Sequence, residues 1–316
     1  MTSALPQRVT GFDQRASGWL IGGARIMAGL LWLANLHWKV PPSFGEDTGG
    51  GLYKYSASVT RNSTFAPFTW VTEEIILPNF GFFAWTVLVV ETLLALLLIA
   101  GYRTRIVALV GAAQTVPILL SVIYYDRADE WSWSYLMMIA LHLLLFATDA
   151  GRHLGVDGVL RGDGAAARRA LTIVGCVAAA VGALGLFVAR SVSFAGSEVA
   201  LLGSDAGFTG EDGAIIRRWE LKFVWFNPLW ALLTIAFGAL LVIGGRKLWA
   251  ASAGAAGFGV IAVLVFASRT FDYLRDDGGV QLISTASNTA LWGAFALTGA
   301  LLARHAATGA TGDAQG

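Results

Sequence analysis

FGFFAWTVLVVETLLALLLIA, Phe80 to Ala100, decides the fold. It is an apolar run of bilayer-spanning length with one carboxylate, Glu91, near its middle. A carboxyl group at that depth costs several kcal/mol unless it is neutral or partnered. The chain is therefore read outward from Glu91.

Apolar runs recur along all 316 residues, of which 56% are hydrophobic and only 14% charged. Soluble domains carry about 25% charged residues. With a mean hydropathy of +0.63, this is a multi-span membrane protein. Twelve Trp and eighteen Phe suit interfacial belts, and 38 Gly suit close helix contacts. A net charge of +1 without a basic tract gives no sign of nucleic acid binding. The single cysteine, Cys176, excludes an intrachain disulfide or a CxxC pair. The polar N-terminus has no apolar core or cleavage signal, so a retained first span is expected.

The expected fold is an all-α integral membrane protein of eight transmembrane helices. They lie near 18–37, 80–100, 104–124, 133–148, 169–189, 224–244, 248–267 and 284–303. Segment 1–17 precedes a four-span bundle over 18–158, a second bundle follows over 159–304, and 305–316 is a flexible tail. Short segments dense in Arg and Lys, among them Arg103, Arg105, Arg152, Arg168, Arg246 and Lys247, share one side with both termini. The positive-inside rule makes that side cytoplasmic. The long loops 38–79 and 190–223 then lie outside the cell membrane.

Each long loop starts with a turn-rich stretch, read as mobile, PPSFGEDTGGG in the first and GSDAGFTGEDG in the second. Each ends in an aromatic, amphipathic part leading into a span. FAPFTWVTEEIILP reads as a surface helix that Pro78 ends. Both halves run span, long outer loop, span, short basic turn, span, short loop, span. This suggests a parallel repeat, although loops of alternating length can also align by chance.

Four polar residues fall at about one depth in the first four spans: Arg25, Glu91, Gln114 and His142. Arg25 can pair with Glu91, and His142 and Gln114 can add hydrogen bonds. Such a set can relay protons or hold a quinone carbonyl. The same residues can equally fix helix packing alone. Glu91, His142 and Arg25 are the candidate catalytic residues; Gln114, Arg105 and Trp38 are the candidates for binding a quinone. Asp149 and Arg152, with Asp157, read as an ion-paired closure of the first bundle at its inner interface.

No haem or metal is expected. His37 and His142 differ by roughly 13 Å in depth, and His153 and His305 lie outside the spans, so no pair matches for a bis-His haem. HExxH, GxGxxG and P-loop motifs are missing from the sequence.

Three strings resemble the DoxX/DoxD family of four-span membrane proteins. They are GGARIMAGLLWLANLHW at 22–38, FGFFAWTVLVVETLLALLLIAGYRTRIVALVGA at 80–112, and AGRHLGVDG at 150–158. The last departs from the family's usual Leu-Asp ending at Val156, and Ala150 and His153 vary too. The resemblance spans about 18–158 and carries onto Arg25, Glu91, Thr104, Arg105 and Asp157. The family includes the small membrane subunit of thiosulfate:quinone oxidoreductase, which implies a link to quinone or thiol redox chemistry. The long outer loops and four further spans depart from its short pattern and suggest an outer-face partner or substrate site.

The first expectation is a membrane component of a quinone-linked oxidoreductase, passing electrons from an outer-face substrate or partner to membrane quinone. The alternatives are a non-catalytic scaffold subunit of a respiratory or redox-defence complex, and a small-solute or proton transporter. Whether the chain turns over as an enzyme is left open. The expected partners are the lipid bilayer and a membrane or outer-face protein.

Overall fold

The computed structural model describes residues 11–61, 65–123, 132–202, 206–209, 215–219, 222–275 and 278–312. Eleven α-helices dominate these residues. The eight long ones are α1 (Gly11–Ala34), α4 (Phe80–Ala100), α5 (Thr104–Val122), α6 (Ser132–Ala147), α8 (Gly164–Val188), α9 (Pro228–Gly244), α10 (Leu248–Ser268) and α11 (Ala286–Gly312). The short ones are α2 (Gly51–Arg61), α3 (Ala66–Val71) and α7 (Val156–Val159). By length and apolar composition, five described helical stretches can cross a membrane: Arg15–Ala34, Ala66–Ala100, Thr104–Val122, Gly164–Ser191 and Leu248–Ser268. Trp133–Ala147 and Pro228–Gly244 are apolar but shorter.

In the first half α1 packs on α4 and α6, and α5 packs on α4 and α6. In the second half α8 packs on α9 and α11, and α10 packs on the same two. Each half is thus a closed ring of four helices. The rings meet where α11 packs on α4 and α1. Small residues permit the closest approach. A Cβ added to Gly175 of α8 would lie 2.6 Å from the Gly238 carbonyl oxygen of α9.

Helix ends follow from capping chemistry. Gly101 ends α4 with φ +67°, a conformation costly for other residues, and its N–H donates to the Leu97 and Leu98 carbonyls. Asp163 accepts from Ala166 N to open α8, and Asn227 accepts from Trp230 N to open α9, with Pro228 in the first turn.

The long loop 38–79 differs from expectation. Its PPSFGEDTGGG stretch is a folded turn rather than a loose one, because Phe44 is buried with its ring 5.4 Å from that of Trp85. Helix α2 follows at once. Pro78 does not stop the next helix. Its missing N–H deprives Glu74 of an α-helical bond, and the chain passes from α3 through a π turn, Thr72–Ile76, and a 3-10 turn, Leu77–Asn79, into α4. Helix α2 and the α3–π segment cap one end of the first ring.

Three short antiparallel β pairs join the helices: β1 (Val199–Ala200) with β4 (Trp225–Phe226), β2 (Ala206–Thr209) with β3 (Ile215–Trp219), and β5 (Thr270–Leu274) with β6 (Val280–Ser284). The rest of GSDAGFTGEDG, the acidic residues of loop 124–131 and the ends of both termini lie outside the described residues. The β5–β6 hairpin braces the first half, as Ser284 N donates to His37 O at 2.9 Å. The His37 ring also stacks 5.4 Å from that of Trp225.

Candidate functional site

Glu91 lies on the buried face of α4 with no exposed surface. Its partner is Lys39, five residues past the end of α1. Lys39 Nζ is 2.7 Å from Glu91 Oε2, and both side chains are buried. The turn after α1 aims the lysine back inward, where Nζ also donates to Asn35 O at 2.8 Å. Asn35 Nδ2 donates to Glu91 Oε2 at 3.4 Å, and Asn35 Oδ1 accepts from Trp38 Nε1 at 3.0 Å. Lys39 Nζ stands 4.2 Å from the Trp38 ring, a cation–π contact. Gln114 reaches the same carboxylate. Glu91 Oε1 nonetheless has no well-formed hydrogen bond among the described residues.

The pair borders a cavity of about 110 Å³. Asn35, Lys39, Glu91 and Gln114 are among its polar lining, with Ser56, Thr72 and Ser121, and Trp38, Phe68 and Phe83 supply aromatic wall. The cap closes it from above through Tyr55 of α2 and Thr72 and Ile76 of the π turn. Such turns often mark functional sites. A buried carboxylate with one oxygen uncommitted, beside an ammonium and under aromatic rings, can bind a compact polar group that carries hydrogen-bond donors and acceptors.

Gln114 and Trp38 are brought to this cavity, as the sequence suggested, but Arg25, His142 and Arg105 are not. Arg25 does not pair with Glu91. Its long side chain reaches the end of α4, where NH1 donates to Leu98 O and, at 2.9 Å, to Ile99 O, while NH2 donates to Leu154 O at 2.9 Å. A cation is favoured there because the last helical carbonyls lack partners and carry the negative end of the dipole. His142 is fully buried between Trp32 Nε1, which donates to Nε2 at 3.0 Å, and the Met138 carbonyl, 2.8 Å from Nδ1. That pattern places the proton on Nδ1 and leaves neither nitrogen for a relay to Glu91. Arg105 is exposed at the other end of the ring, 4.8 Å from the Phe146 ring.

Asp157 accepts from Arg103 N at 2.9 Å and Thr104 N at 3.0 Å, which caps α5. Asp149 pairs with Arg152 at 2.6 Å and with Arg161 at 3.2 Å. These groups hold together the turns at the opposite end of the ring, away from the cavity. Lys39 and Asn35 escaped the sequence reading because Lys39 falls in a loop by hydropathy. The available signal was its place just past a span, next to Trp38, since a lysine stem there can reach back toward a buried acid.

Residues 60–177 match the family model described as TQO small subunit DoxD. The DoxX/DoxD resemblance therefore holds over that segment. The DoxD segment runs from the end of α2 to the middle of α8. It holds Glu91, Gln114, the π turn and Asp157, whereas Arg25, Asn35, Trp38 and Lys39 precede it. The site thus joins a carboxylate from the DoxD segment to a lysine outside it. No curated protein and no solved structure matches the chain. Among the described residues, no group of three or more His, Cys, Asp or Glu could hold a metal ion.

A second buried carboxylate, Glu198, lies in the long loop of the second half. It accepts from Asn227 Nδ2 at 3.1 Å and Trp230 Nε1 at 3.3 Å. Burial pushes its pKa up to about 7, against the pull of those hydrogen bonds.

Proposed function

We propose that this chain is the membrane component of a quinone-linked oxidoreductase, with the quinone ring held in the cavity beside Glu91. Electrons come from a substrate or protein partner on the outer face and pass to membrane quinone. Reduction of a quinone consumes two electrons and two protons. The Lys39 ammonium can donate to a ring carbonyl, and the free Glu91 oxygen can accept from the hydroxyl of the quinol product. The observation that carries this reading is the buried Lys39–Glu91 pair with Oε1 uncommitted on a cavity wall. The similarity of residues 60–177 to the TQO small subunit supports it.

We read the eight long helices as eight spans in two parallel four-span bundles, with both termini cytoplasmic and the capping loops outside. Two features support this reading. The same cyclic order of helix neighbours occurs in both halves, and basic residues are dense at the inner turns.

The test is mass spectrometry of the lipids and proteins that co-purify with gently extracted protein. Bound quinone is expected in the wild type, with loss of most of it in Glu91→Gln. A stoichiometric respiratory partner without quinone, still assembled in Glu91→Gln, would overturn the assignment in favour of a scaffold subunit.

A further inference from the structure

Asn35, Trp38, Ile118 and Tyr135 line the Glu91 cavity, and the same four residues line a second, more open crevice. That crevice, of about 340 Å³, lies where α1, α5 and α6 meet. Its other walls are Leu31, Trp32 and Ala34 from α1, His37 just past it, Thr115 from α5, and Ser134 and Met138 from α6. Leu31 is 38% exposed and Ser134 is also exposed, so the crevice opens sideways on the outer half of the first ring. Trp32 has its indole fixed to His142, so this wall is held in place. The lining is mostly apolar.

The two hollows lie side by side, with Trp38 and its neighbours as their common wall. Trp38 sits just past α1, where it donates a side-chain hydrogen bond to Asn35, lies edge-on to Tyr55 at 5.6 Å and carries Lys39 Nζ 4.2 Å from its ring. The cap covers the cavity from above, which disfavours a route through the outer aqueous face.

We propose that this crevice is the lateral entrance and tail groove for the apolar chain of a membrane quinone, with Trp38 at the throat. The inference rests on the quinone reading of the Glu91 cavity. A tailed quinone then moves from lipid to the site without crossing water, its ring passing Trp38 and its chain trailing between α1 and α6. The chain gains no hydrophobic free energy over lipid, because bilayer tails are equally apolar. The groove therefore acts by shape, and obstruction is the proper test.

Two benzoquinones with one ring are compared on the full-length protein in nanodiscs, one without a tail and one with a ten-carbon chain bearing a photoreactive diazirine. Leu31→Trp and Ser134→Trp fill the crevice at exposed positions. The expected result is that each variant weakens binding of the tailed quinone by about tenfold or more, while binding of the tailless ring changes by less than about twofold. Photolabel on the wild type falls on Leu31, Ser134 or Met138 and disappears in the presence of excess unlabelled tailed quinone.

If the plugged variants bind both quinones like the wild type, or the label falls on the far side of the ring, the groove is wrong. In that case, tailless binding that still depends on Glu91 leaves the cavity reading standing. Labelling of the crevice by a diazirine phospholipid that excess quinone fails to displace also overturns the groove. Binding of neither quinone to the wild type overturns both the groove and the cavity reading.

Discussion

Lys39 Nζ lies 2.7 Å from Glu91 Oε2, and the lysine starts from the loop beyond α1 rather than from within a helix. The pair fixes the C-terminal end of α1 against the middle of α4. Breaking a buried pair on one side leaves an uncompensated charge and costs about 3–5 kcal/mol, whereas removing both charges costs far less. Lys39→Met and Glu91→Gln are therefore each expected to lower the unfolding temperature in mild detergent. Lys39→Met combined with Glu91→Leu should recover more than half of that loss. A double variant no more stable than the weaker single one would show that the two groups do not act as a pair.

Arg25 answers to the carbonyls of Leu98, Ile99 and Leu154, not to Glu91. Arg25→Met should destabilise the fold by about 1–3 kcal/mol, because the Ile99 and Leu154 carbonyls lose the guanidinium as donor. Combined with Glu91→Gln, its effect should add to within about 0.5 kcal/mol, as for independent sites. Strong coupling between the two positions would contradict the geometry.

Asp157 offers both carboxylate oxygens to the first amides of α5. Asp157→Ala should cost about 1–2 kcal/mol, and Asp157→Asn, which keeps one acceptor, clearly less. Hydrogen exchange at the amides of Arg103 and Thr104 reads this directly. Exchange should accelerate in the alanine variant, and unchanged rates would count against the cap.

Glu198 supplies a pH dependence with a definite sign. Its carboxyl is raised from 4.5 to about 7 in the folded chain. The folded state therefore holds this proton more tightly than the unfolded state. The stability it contributes is complete below pH 4.5, is lost as pH rises to about 7, and changes no further above that. Unfolding temperatures of the wild type and Glu198→Gln, compared from pH 4.5 to 8, should converge in slope only above about pH 7. Parallel curves across the whole range would rule out a titrating Glu198.

Part of the site could be read from the order of residues. The apolar run around Glu91 marks both the span and its one expensive group. Gln114 follows from its nearness in depth to Glu91, and Trp38 from its place among the aromatic residues at the end of the first span. The DoxX/DoxD likeness was carried by three local strings, of which those at 80–112 and 150–158 fall in the matched segment and that at 22–38 precedes it. Arg25 was misplaced because depth was counted at its Cα, while its guanidinium is carried to the end of α4. His142 was given a proton role, but its ring nitrogens are both committed to packing partners.

By itself the sequence determined that this chain lives in a membrane, where its main apolar runs lie, and that Glu91 needs a partner. Those conclusions depend on hydropathy and the cost of a buried charge, which local composition carries. Only the tertiary structure decided that the partner is Lys39. It also decided that the loop 38–79 folds into a cap and that a side crevice meets the cavity at Trp38. These depend on where a turn redirects four methylene groups and on which helices leave a gap between them. Such distances arise when segments far apart in the chain pack together, and no local pattern of residues encodes them.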